Sequence, residues 1–234
     1  MTRRSAQYFT LFLYFMKQFI LCLGLLAATS ELVAVDSSTA LSAANPVYRE
    51  RADKIVAKLE LNDGDKKIRV RDAIADHYHA VNVIDDAVEA RIKAEKERSP
   101  ADKAAADAAI KVMREEAQPQ LDKNHAHFLA RLSADLAPQQ VEQVKDGLTY
   151  GVLPITFRVY QQMLPNLTAE QTAQILAWLQ EAREHAMDAG SADKKHAWFG
   201  KYKGKINNYL AKAGYNMKQA EKDLAERNKS AAKK

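Results

Sequence analysis

The sequence predicts an all-α protein: a helical bundle with a long antiparallel helical hairpin and a C-terminal helical subdomain. Three observations carry that expectation. Glycine and proline are scarce, eight and six in 234 residues, so the chain has few places to turn. No stretch alternates apolar and polar residues for long enough to make a strand. Apolar residues recur instead three and four positions apart, the spacing of one helix face.

The elements follow in order. A first helix is expected over residues 46–60, where Val47, Ile55, Val56 and Leu59 fall on helical spacing. "LNDGD" then offers Asn62 as an N-cap with Asp65 three residues on. A long helix from Asp65 to Arg98 puts Ile68, Ala75, Val81, Ile84 and Val88 roughly on one stripe. Ser99 and Pro100 break it, as cap and first residue of the next helix. Residues 100–135 continue with an alanine-rich opening and an apolar face that is thin until Leu121, Phe128, Leu129 and Leu132. So short a connection makes the two long helices an antiparallel hairpin.

Three further starts are marked. Pro138 opens a helix after Ala137. "DGLTYGVLPITFRVYQQMLPN" is punctuated by Gly147, Gly151, Pro154 and Pro165, with a short helix between the prolines that carries Ile155, Val159, Met163 and Leu164. Thr168 and Gln171 have the spacing of a capping box, with Leu167 ahead as a staple. Gly190 is expected to end that helix in the left-handed conformation. The next helix then begins near Asp193 and runs through "HAWFGKYKGKINNYLAKAG".

The ends read differently. "FILCLGLLAA" is a short apolar run behind Lys17, and residues 1–40 have the layout of a secretory signal peptide whose start would be more ordinary at Met16. Small residues precede a cut after Ala34 or after Ala40, and Leu21 ahead of Cys22 argues against lipidation. The expectation is a periplasmic or secreted protein without disulfides and without stable membrane insertion after cleavage. Residues 41–228 then form a single helical domain, and 229–234 a disordered basic tail.

Charge is unevenly spread. Residues 41–190 carry 20 Lys and Arg against 24 Asp and Glu, whereas residues 191–234 carry 12 against 4. The basic end calls for an anionic partner. Outside the cytoplasm that points to an acidic polysaccharide or oligosaccharide rather than nucleic acid.

The segment "KKHAWFGKYKGKINNYLAKAGYN", residues 194–216, concentrates lysines, aromatics, asparagines and glycines. On a helix, His196, Gly200, Lys203 and Asn207 share one side, and Phe199, Tyr202, Ile206, Tyr209 and Leu210 form the apolar stripe. Trp198 lies on a flank with Lys201, Lys205 and Asn208. Each helical glycine costs about 1 kcal/mol against alanine, so Gly200 and Gly204 imply close approach by a neighbouring helix or by a ligand. Rings stack on sugar C–H faces and lysines meet carboxylates. The candidate ligand-binding residues are therefore Trp198, Lys201, Lys203, Lys205, His196, Asn207 and Asn208, with Tyr150, Arg158 and Tyr160 from the preceding turn.

A carbohydrate-active enzyme, such as a uronate lyase with His196 or Tyr202 as base, is the alternative; a chaperone-like bundle is another. No GxSxG turn or cysteine nucleophile follows the signal segment. The pairs His77/His79 and His125/His127 point about 200° apart on a helix and cannot chelate one ion. Only an aligned hairpin would let one pair meet the other, so no metal or cofactor is expected.

From Asp146 to Asn216, and most densely in "AMDAGS" and "KHAWFGKYKGKINNYL", the chain resembles an uncharacterised family of exported bacterial proteins, a domain of unknown function. The resemblance implies association with bacteria that digest complex polysaccharides and implies no particular activity. The "LTAEQ" start is also similar to small helical periplasmic chaperones, over little more than a capping box.

Overall fold

A computed structural model of the protein describes residues 45–98 and 102–231. The expected signal peptide and the Ser99–Pro100 junction lie outside the described residues, which contain eight α-helices and no strand. These are α1 (Pro46–Val56), α2 (Gly64–Arg98), α3 (Lys103–Asp135), α4 (Pro138–Leu148), α5 (Val152–Met163), α6 (Ala169–Met187), α7 (Ala192–Lys212) and α8 (Met217–Ala231). None of them is long and apolar enough to cross a membrane.

The caps explain most of the boundaries. The Asn45 side chain accepts from the Val47 amide at 3.0 Å, and Pro46 supplies a first residue that needs no donor. α1 stops at Val56, short of residue 60, because the chain turns there and Glu60 takes a positive φ of 52°. α2 is capped by Asp63 rather than Asn62: the Lys66 amide donates to the Asp63 carboxylate at 3.0 Å. Asp102 does the same for α3, accepting from Ala105 at 2.9 Å. The capping box of α6 forms as expected, with Gln171 N–H donating to Thr168 Oγ1 at 3.2 Å and Thr168 N–H to Gln171 Oε1 at 3.0 Å.

Helices α2 and α3, 35 and 33 residues long, each extend about 50 Å at 1.5 Å per residue. Cross-helix pairs run antiparallel: Arg69 with Asp135, Asp76 with Arg131, His77 with Asn124, Arg91 with Glu116. Pro119 sits inside α3 on its exposed side and the helix continues through it.

Two apolar clusters form the core. One joins α1 to the adjoining ends of the hairpin and α4, through Ala52, Ile74, Phe128, Leu132, Val144 and Leu148, and reaches Met187 at the end of α6. The other, in the C-terminal half, joins α5, α6 and α7 through Tyr160, Ile175, Leu179, Phe199, Ile206 and Leu210, with α8 laid against it. The stripe assigned to the last long helix is buried as expected at Phe199, Tyr202, Ile206 and Leu210, with Tyr209 partly buried.

Four expected core residues are exposed: Val47, Ile68, Ile155 and Val159. Ile68 lies one turn from the solvated start of α2, before α2 meets its neighbours. Ile155 and Val159 occupy the outer side of α5, whose inner side is held by Leu153, Tyr160 and Met163. α8 continues to Ala231, three residues into the stretch expected to be a tail.

Candidate functional site

The α6–α7 corner presses on the hairpin, and the contact is polar. His77 is buried on α2; its Nε2 bonds the Met187 carbonyl at 3.2 Å, its Nδ1 lies 3.0 Å from Asn124 Nδ2, and its ring stacks on Phe128 at 4.1 Å. Burial pushes the His77 imidazole down to about 3, so the ring is neutral. His125 on α3 meets Asp188 at 2.8 Å and Glu184 at 3.4 Å, and those two carboxylates hold it up at about 9. Burial raises the Asp188 carboxyl, while the His125 imidazolium counters that shift. Burial also opposes ionisation of Glu184, but bonds from His125 and Lys145 outweigh it and bring Glu184 down to about 2. Arg183, buried on α6, is held by Glu142 and by Asp146 at 2.7 Å.

The histidine pairs therefore do meet across the hairpin, but at a carboxylate. His77 and His125 both approach Asp188. Among the described residues no group of three or more His, Cys, Asp or Glu side chains is arranged to hold a metal ion.

Beside this seam lies a cleft of about 450 Å3 between the hairpin and α7. Val88 and Leu121 make its apolar wall from α2 and α3, Asp188 borders it at the corner, and Trp198 and Lys201 face it from α7. Lys194 closes one side, bonded to Asp85 and Glu89 at 2.6 Å each. Gly190 makes this possible. A Cβ there would stand 2.3 Å from Asp85 Oδ2 and 2.6 Å from Asp85 Cβ. The expected left-handed conformation is not found, since the positive-φ glycines are Gly151 and Gly214. Gly190 is small because Asp85 packs against it.

The ten candidate residues do not share one cleft. Trp198 and Lys201 line it. The indole stacks on His185 at 4.4 Å, and the Lys201 ammonium stands 4.8 Å from the indole. Lys205 turns toward α6, 4.7 Å from the Trp178 ring and 3.8 Å from Glu181. Asn208 is exposed.

On the opposite flank of α7, the Tyr160 hydroxyl donates to Asn207 Oδ1 at 2.7 Å. This pair ties α5 to α7, and burial raises the Tyr160 hydroxyl to about 12; both residues are structural. Lys203 and Arg158 are exposed. Tyr150 and His196 stack on each other at 5.7 Å, away from the Trp198 flank. The split follows from helix geometry, because a single α-helix cannot turn residues of both flanks toward one opening. Tyr202, the alternative base, is buried in the core. Gly200 and Gly204 have no neighbouring helix: a Cβ at either would meet nothing within 4 Å.

Sequence reasoning missed Asp85, Glu89, Arg114 and Asp188 in the cleft; His125 behind it stands out in the sequence, but as half of a histidine pair and not as a partner of carboxylates. Acidic residues on a helix read as solvated surface, and the charge imbalance between the two halves reads as calling for an external anionic partner.

No curated protein matches the chain at a significant level. A family model described as "Protein of unknown function (DUF3826)" matches residues 46–230, nearly all of the described structure. The chain is a member of that family of proteins of unknown function.

Proposed function

We propose that the protein is exported and binds an acidic oligosaccharide in the cleft between the α2–α3 hairpin and α7. The observation that carries this reading is an apolar cleft of about 450 Å3 bearing an indole, Trp198, and two cations, Lys201 and Arg114, that make no ion pair among the described residues. Lys194 is neutralised by Asp85 and Glu89, and Asp188 by His125. Lys194 cancels only one of its two carboxylates, so with Arg114 and Lys201 the cleft is left with a net charge of one positive unit for a ligand. A sugar ring would displace Lys201 from the indole face, and the ammonium would swing to the sugar carboxylate. This exchanges one cation–π contact for ring stacking plus an ion pair.

The chaperone-like alternative gains no support. Among the described residues the exposed large apolar side chains are distributed over α1, α2, α3 and α5 and the turn before α5, and a client-holding face would gather them.

Titration of oligogalacturonides against a neutral oligosaccharide of equal length, followed by calorimetry and tryptophan fluorescence, tests the reading. Acidic chains should bind and neutral ones should not. Trp198→Ala should weaken binding about tenfold, a loss of roughly 1.4 kcal/mol. Arg114→Gln and Lys201→Gln should each weaken it and flatten its salt dependence. Equal affinity for the neutral chain, or unchanged affinity in Trp198→Ala, refutes the proposal.

A further inference from the structure

A second group of side chains gathers where α1, α2, the 149–151 turn and the first turn of α7 come together. The Tyr78 ring, nearly buried, is the centre. Tyr48 stacks on it at 6.0 Å with an interplanar angle of 13°, the Arg51 guanidinium lies 5.9 Å from its centroid, and the Lys195 ammonium 5.6 Å from it. Two cations thus bear on one ring. Lys195 is 5% exposed, bonds the Met187 carbonyl at 3.3 Å and feels the Asp188 carboxylate, which leaves two of its three donors without a hydrogen-bond acceptor among the described residues.

At the rim, Tyr150 is 52% exposed and stacks on His196. Its φ is +58°, a left-handed conformation that is strained for a residue with a β-carbon. A bulky aromatic held in such a turn, with its ring displayed to solvent, is unfavourable for stability alone; glycine or asparagine would suit that backbone better.

We infer that Arg51, Lys195, Tyr78, Tyr150 and His196 form a second binding site, separate from the Trp198 cleft, that takes a carboxylate carried on a sugar-like ring. The carboxylate would meet Arg51 first and supply the acceptor that Lys195 lacks. The face of the ring would lie on the Tyr150–His196 stack. The inference does not depend on the cleft reading, because no residue is shared between the two.

The experiment is NMR observation of the His196 ring and aromatic tyrosine signals in the Trp198→Ala protein, titrated with D-glucuronate and separately with D-glucose. Removing the indole weakens the cleft, and a response that disappears in Arg51→Gln, which leaves the cleft residues untouched, comes from this site. Glucuronate should cause saturable shifts and glucose none. Arg51→Gln should abolish them. Tyr150→Asn should abolish them too while raising the melting temperature, because asparagine accepts the left-handed turn and tyrosine does not. Absence of saturable shifts, an equal response to glucose, persistence in Arg51→Gln, or a Tyr150→Asn protein that is less stable than its parent each overturn the inference. Failure here with intact oligosaccharide binding in wild type leaves the cleft reading standing; the reverse result leaves this one.

Discussion

Gly190→Ala should destabilise the protein, and the reason is a single neighbouring side chain. The backbone at Gly190 is not left-handed, so alanine is conformationally allowed. In an open site it would stabilise by about 0.4–1 kcal/mol by restricting the unfolded chain. Here the new methyl would lie 2.3, 2.5 and 2.6 Å from Oδ2, Cγ and Cβ of Asp85. Because the Asp85 Cβ is itself too close, rotating the carboxylate away does not relieve the clash; the α6–α7 corner must move off α2.

Overpacking of this kind costs about 1–3 kcal/mol. Loss of the part-exposed Asp85–Lys194 pair adds less than about 1 kcal/mol. At roughly 2–4 °C per kcal/mol for a domain of this length, the melting temperature should fall by about 2–16 °C. The decisive measurement is a double-mutant cycle by urea denaturation. With Asp85→Gly as background the obstructing Cβ is gone as well as the carboxylate, and adding Gly190→Ala should then be neutral or stabilising. The same penalty in both backgrounds would show that Gly190 is required for some reason other than Asp85, and the account of the corner would fail.

Stability should peak near pH 6.5. His125 is held at about 9 by Asp188 and Glu184, so its contribution is full below about 6.5 and is lost as pH rises toward 9. Lys195, lowered by burial to about 8, opposes that loss only above pH 8. On the acid side, buried His77 stays neutral to about 3 while the unfolded chain protonates from about 6.5 downward. Glu184, held at about 2, adds to the acid loss below about 4.5. Urea midpoints from pH 4 to 9 should show this maximum, and His125→Gln should remove the decline between 6.5 and 8; the same decline in the variant would contradict the seam. Gly200→Ala and Gly204→Ala should each raise stability by about 1 kcal/mol, because both positions are helical and open to solvent. A loss in thermal denaturation would mean that something covers them.

The sequence made the helices legible and left the seam dark, for a physical reason. Capping is local, so Thr168 and Gln171 declare a helix start through three residues. Burial on one helix is periodic, so Phe199, Tyr202, Ile206 and Leu210 declare an inward face. Asp188 against His125 and Lys194 against Asp85 and Glu89 span 63 to 109 positions, and nothing in their immediate sequence distinguishes them from solvated charges. Gly190 was legible as a special position and misread in kind: a missing side chain serves a close approach as readily as a left-handed turn. Tyr160 and Asn207 meet each other, because a polar tip on an apolar segment needs a partner, and the next helix supplies it.

The arrangement of the two clusters makes the cleft depend on charge rather than on packing. Each apolar cluster closes largely on its own set of helices. What places α7 against the hairpin is a row of ion pairs and one buried neutral histidine. Apolar faces can slide by a methylene and still exclude water. An imidazolium between Asp188 and Glu184 cannot move without stranding a charge in low dielectric. The width of the cleft is therefore fixed in part by Asp85, Glu89, Asp188 and Lys194, which also border it. Lys194 and Asp188 are structural on their inner side and bound the ligand space on the other. A ligand that drew Lys194 from its carboxylates would loosen the corner that formed its own site. Recognition thus falls to Arg114, Lys201 and Trp198, which can respond to a ligand without disturbing the seam.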